Sequence, residues 1–254
     1  MGDKRGQVTI FIILAIVIVV GAVLAYFFIP GFGLTTGLSV ENPEAFIESC
    51  MEDEIEMALE KISLRGGSLE PEHFFNYYNN PVEYLCYINQ NYIPCIVQQP
   101  LLINHLKSEL DESLQPVANS CFNDLKESYE DKGYNVEMKQ GKIDTEFKIK
   151  SILFNFPNYE LTVKKGETLK FDSFNIFVNN NLYELASIAN SIIGWESTYG
   201  DAETTVYMNY YPHLKVEKKK QGDGTTIYII TNRETNKKFQ FASRSLVFPP
   251  GYSR

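Results

Sequence analysis

The chain has 254 residues, a formal net charge of −9, 44% hydrophobic and 22% charged residues, with 17 Phe and 16 Tyr. So many aromatics exclude a disordered chain, and the acidic balance excludes a general affinity for nucleic acid. Beyond the apolar N-terminus the length suffices for one large domain or two small ones.

In chain order, Lys4-Arg5-Gly6-Gln7 precedes an uncharged run over residues 8–29, interrupted only by Thr9 and Gly21. At about 1.5 Å per residue such a helix spans roughly 33 Å, enough for a bilayer core. The run carries no polar stripe, so it reads as a transmembrane helix stopped by Pro30-Gly31. Lys4 and Arg5 flank it on one side, and no other Lys or Arg occurs before Lys61. The positive-inside rule then gives a cytoplasmic stub (1–7), the span (8–29), a linker (30–41) and an extracytoplasmic remainder. The apolar run is longer than in a secretory signal and no A-x-A site follows, so retention as a single-pass anchor in the lipid bilayer is expected.

Lys4-Arg5-Gly6-Gln7 before a long apolar helix resembles the class III signal peptide of archaeal pilin-like proteins. That resemblance implies a cut between Gly6 and Gln7 and packing of the apolar helix in a filament core. The chain departs from the pattern at Val8-Thr9-Ile10-Phe11, where pilins usually carry an acidic residue. As a whole it is similar to uncharacterised archaeal membrane-anchored proteins that begin this way and continue with a cysteine-bearing helix; that likeness implies no activity.

Asn42-Pro43-Glu44 is a good helix start, offering a cap, a first-turn proline and a carboxylate at the positive end of the dipole. Ile47, Met51, Ile55, Ala58 and Ile62 recur at helical spacing, and Gly66-Gly67 supplies the stop. A helix is expected over 43–64. Residues 65–100 read as irregular, with a strand–turn–strand between Cys86 and Cys95 around Asn89-Gln90-Asn91. Leu102, Leu106, Leu110 and Leu114 mark a second helix, which Pro116 should kink or split. Val117, Cys121, Leu125 and Tyr129 continue its stripe to Gly133.

From residue 134 the pattern turns to β. Residues 136–139 and 143–149 alternate apolar and polar, with Gln140-Gly141 fitting a tight turn between them. Strands are expected over 152–156, 159–163, 169–178, 214–219, 225–231 and 239–247, with a helix over 182–193 and a hairpin signal at Gly222-Asp223-Gly224. The fold class is therefore α+β: a transmembrane helix, a disulfide-containing helical part (42–134) and an antiparallel sheet domain (135–254) with one or two helices. Acidic residues crowd 41–72 and basic residues 213–254, which reads as solvated faces, or as a charge-complementary contact.

No catalytic motif stands out: there is no G-x-S-x-G elbow, phosphate-binding glycine loop or H-E-x-x-H pair. His73, His105 and His213 are far apart, and His105 reads as a helix-face residue. The carboxylates of residues 51–56 sit on a helix rather than a calcium loop. Trp195 could be core or a surface contact; the group Tyr207, Tyr210 and Tyr211 could bind a glycan or a partner, but packing against the sheet is the favoured reading. No cofactor or metal is expected, and no enzyme activity.

All four cysteines, Cys50, Cys86, Cys95 and Cys121, lie beyond the apolar run. Their spacings lack the short pairs of structural zinc sites, and an even number in one exported stretch points to disulfides. Cys86 and Cys95 flank a turn. Cys50 and Cys121 lie near the starts of two amphipathic helices that must bury their apolar faces. The expected bridges are Cys50–Cys121 and Cys86–Cys95. The resulting expectation is a membrane-anchored extracytoplasmic protein with a structural or interaction role toward a protein or cell-envelope partner; a pilin-like filament subunit is the alternative.

Overall fold

The computed structural model describes residues 42–247. Helix α1 (Pro43–Leu64) starts as its sequence dictates: the Asn42 side chain accepts from the Ala45 N–H at 3.2 Å, with Pro43 in the first turn. Ile47, Met51, Ile55, Leu59 and Ile62 form its buried stripe, and Gly66 and Gly67 follow with φ of 85° and 111°. Residues 65–100 are more regular than expected. β1 (Phe74–Tyr77) and β2 (Asn80–Tyr87) form a hairpin, and β3 (Ile96–Val97) pairs antiparallel with the end of β2. The hairpin turns at Tyr78-Asn79, both at positive φ. A tyrosine there gives no Asn-Gly signal from which the turn could be read.

Helix α2 (Leu102–Glu130) runs unbroken through Pro116. The expected break does not occur because Leu110, Leu114, Ala118 and Cys121 are buried on both sides of the exposed proline, and tertiary packing outweighs one lost backbone bond. Then come β4 (Asn135–Lys139), β5 (Asp144–Lys148), β6 (Ser151–Asn155), β7 (Glu160–Lys165), β8 (Glu167–Phe171) and β9 (Asn175–Asn179). Helix α3 (Leu182–Tyr199) ends at Gly200 with φ 77°, and a short helix α4 (Thr205–Tyr210) precedes β10 (Leu214–Lys220), β11 (Thr225–Asn232) and β12 (Lys238–Arg244).

The expected fold class needs correction. Among the described residues no helix is long and apolar enough to cross a membrane; the residues assigned to the expected transmembrane helix, 8–29, lie outside the described residues, as do Gly6 and Gln7. The expected sheet domain is present, with its strands divided among three sheets rather than one. A six-stranded sheet runs β1-β2-β12-β11-β10 with β3 on β2, and two three-stranded sheets run β4-β7-β8 and β5-β6-β9. The large sheet is mixed, because β12 lies parallel to β2. It draws strands from both sides of residue 134, and one compact unit begins at Asn42.

Two local causes rearrange the strands. Gln140-Gly141 closes no hairpin: β4 pairs with β7, and β5 with β6. A Cβ on Gly141 would collide with the Pro157 carbonyl, so the backbones cross there. The Gln115 side chain on α2 binds the freed backbone, accepting from Ile143 N–H at 3.0 Å and donating to the Gly141 carbonyl at 3.4 Å. Residues 169–178 divide at Asp172-Ser173 into β8 and β9, which join different sheets. Phe122 of α2 fills the space over these sheets, stacked on Tyr159 at 4.2 Å and edge-on to Phe174 at 4.9 Å.

Candidate functional site

The cysteines come together in the expected pairs. Cys50 of α1 bridges Cys121 of α2 with Cα atoms 5.9 Å apart, and Cys86 of β2 bridges Cys95 with Cα atoms 5.3 Å apart. Both distances fall in the usual range, and neither bridge leaves a free thiol. Two disulfides fit an oxidising compartment.

Two polar clusters lie inside the fold. Behind the Cys86–Cys95 bridge, Glu196 of α3 is 2% exposed. It accepts from the Tyr228 hydroxyl, from Ser243 at 3.2 Å and from the Ala202 N–H at 3.2 Å. Burial pushes the Glu196 carboxyl above the ordinary range against these bonds and the nearby Lys218. Burial likewise drives the Tyr228 hydroxyl far up, keeping it a donor. Ser243 also sits 3.7 Å from Cys95 Sγ, so this cluster ties α3 and the sheet to the bridge.

The second cluster brings His105 to Ser68. Ser68 Oγ donates to Glu83 Oε2 at 2.5 Å and lies 2.7 Å from His105 Nε2. The neighbouring Leu69 N–H donates to Glu109 at 2.8 Å. Burial raises the Glu83 carboxyl, opposed by the Ser68 bond. Serine, histidine and glutamate in contact invite a nucleophile reading. The order here is carboxylate–hydroxyl–imidazole, whereas a nucleophilic relay needs the imidazole in the middle and the carboxylate behind it. What the cluster does is join the loop after α1, strand β2 and helix α2. His213 makes a similar local bond, to Glu184 at 2.8 Å, and His73 packs on Tyr84 and Tyr87.

The outward-facing feature is aromatic. Between α3 and α4 lies a cavity of about 240 Å³ lined by Ser191, Trp195, Glu203, Val206, Tyr207, Tyr210 and Tyr211. Ser191 and Trp195 are one helical turn apart on the outer face of α3. Tyr207 is the inward residue of α4, and its hydroxyl pairs with Ser191 Oγ at 2.8 Å, fixing α4 against α3. Trp195 is 50% exposed, Tyr210 79% and Tyr211 43%. Tyr199 extends the surface, its ring 4.9 Å from that of Trp195.

No protein-family model, curated protein or solved structure matches the chain. The site therefore stands on its geometry.

The expectation that this group packs as core holds for Tyr207 alone. A six-residue helix has room for one inward ring, and the others are left at the surface. Sequence reasoning missed Val206 and Glu203 in the lining and the contact of His105 with Ser68 and Glu83. The His105 contact joins segments distant in the chain, and Val206 and Glu203, though next to Tyr207 in sequence, carry no local signal of a cavity.

Proposed function

We propose that this protein is a membrane-anchored, extracytoplasmic module with a structural or interaction role, and that the Trp195–Tyr210–Tyr211 surface is where it meets its partner. The observation that carries this reading is the exposure of those rings around one cavity. Aromatic surface left in water is unfavourable, and Trp and Tyr are the residues that dominate contact energies. The uncharged run at residues 8–29, flanked by Lys4 and Arg5, supports attachment to the membrane. The two bridges support exposure to an oxidising compartment. No catalytic role is part of the proposal.

The test is photocrosslinking on intact cells with a benzophenone amino acid at position 210. A discrete adduct is expected from position 210 and none from position 169, whose leucine is also exposed but lies on β8. Equal labelling at both, or none at 210, removes the interaction reading.

Lys4-Arg5-Gly6-Gln7 favours a second reading, a pilin-like filament subunit. It requires a mature chain beginning at Gln7, and the intact mass of protein from cells decides it.

A further inference from the structure

We propose that the cavity between α3 and α4 binds a small organic cation bearing a trimethylammonium group; this rests on the aromatic surface being a contact site. Four aromatic residues stand in the cavity lining: Trp195, Tyr207, Tyr210 and Tyr211. The faces of such rings carry negative potential, and a cage of them attracts a cation. Glu203 is the one charged residue in the lining. Among the described residues the lining holds no Lys, Arg or His; Lys218, which acts on Glu203, is held by Asp201 and the Ala202 carbonyl.

The state of Glu203 suits this role. Its Oε1 accepts from Thr205 N–H at 3.0 Å and from Thr205 Oγ1 at 2.7 Å. These bonds, the hydroxyl first, hold its carboxyl below the ordinary range, so it is ionised at neutral pH.

The lining also chooses among cations. A primary ammonium carries three N–H donors; Glu203 can accept from one of them, and the rings satisfy the others poorly. A trimethylammonium has none to lose and presents methyl groups to the rings.

The chain contains a single tryptophan, Trp195, and it stands in the cavity wall. Its fluorescence therefore reports directly on occupancy. The full chain, in a polyoxyethylene detergent free of quaternary ammonium groups, is titrated with choline. Sodium chloride at equal ionic strength, 3,3-dimethylbutanol (the neutral isostere) and a neutral disaccharide are run in parallel. A saturable response to choline is expected, with affinity about tenfold above the isostere, as roughly 1.4 kcal/mol of cation–π and charge attraction gives. Glu203→Gln and Tyr210→Ala should each weaken choline about fivefold, while Tyr210→Phe, which keeps the ring, should bind as wild type. Position 210 is 79% exposed, so neither change there threatens folding. Phosphocholine, titrated beside choline, separates the two sources: tighter binding than choline indicates a lipid headgroup, and weaker binding a free cation. Equal affinity for the isostere, a saturable response to the disaccharide alone, or no response to choline overturns it. If choline fails while position 210 still crosslinks on cells, the contact surface stands and only the ligand class falls; if both fail, the surface reading falls too.

Discussion

Removing the two bridges separately should destabilise the protein unequally, and the inequality can be worked from the chain. Cys50–Cys121 spans 71 residues and Cys86–Cys95 spans 9. In the chain-entropy model the longer loop stabilises by about 4.4 kcal/mol and the shorter by about 2.6 kcal/mol. For a domain of this size that corresponds to a fall in Tm of about 9 to 18 °C against about 5 to 10 °C. The perturbations are the double variants Cys50→Ala/Cys121→Ala and Cys86→Ala/Cys95→Ala. Replacing both partners leaves no lone thiol, and alanine places no hydroxyl where Cys86, Cys95 and Cys121 are buried. Thermal melts of the full chain in detergent, followed by circular dichroism, give both values in one buffer. A larger loss from the Cys86/Cys95 variant would refute the loop-entropy reasoning and place the importance of that bridge in its contact with Ser243 and the Glu196 cluster instead.

Glu196→Gln should flatten the pH dependence of stability. The buried carboxyl has a raised pKa, so its folded state favours the proton, and its stabilising contribution is complete below the unfolded value and lost as pH rises through the folded one. Wild type should therefore lose more stability than Glu196→Gln between mildly acidic and mildly alkaline pH, as denaturant titrations at several pH values would read; equal slopes would contradict this. Pro116→Ala should stabilise by about 1 to 2 kcal/mol, restoring a backbone donor at an exposed position inside α2, less the entropy proline removes from the unfolded chain. Chemical denaturation checks it, and a loss of stability would mean that α2 needs the proline.

What was legible in the sequence was local. The Asn42 cap and the apolar spacing of α1 lie within a few residues of one another, and so do the alternations that mark β4 to β7 and β10 to β12. Partner choice is not local. β12 pairs with β2 across Ala242 and Tyr84, and nothing in either stretch names the other. The turn at Gln140-Gly141 misled because a side chain from α2, Gln115, takes the bonds that a hairpin would have made. The disulfide pairs were readable because helix amphipathicity and a turn signal bring the right cysteines near. The aromatic group was visible as residues, yet its exposure follows from the shortness of α4, which the sequence does not mark. The Ser68–Glu83–His105 and Glu196–Tyr228 clusters join segments distant in the chain, and only the folded arrangement reveals them.

The claim on which the rest depends is that residues beyond the apolar run fold in an oxidising, extracytoplasmic space. Non-reducing peptide mapping by mass spectrometry, on protein alkylated in intact cells before lysis, tests it most directly. The account predicts one peptide pair linking Cys50 to Cys121, one linking Cys86 to Cys95, and no alkylated cysteine. Four alkylated thiols, or a Cys50–Cys86 or Cys95–Cys121 pair, would contradict it.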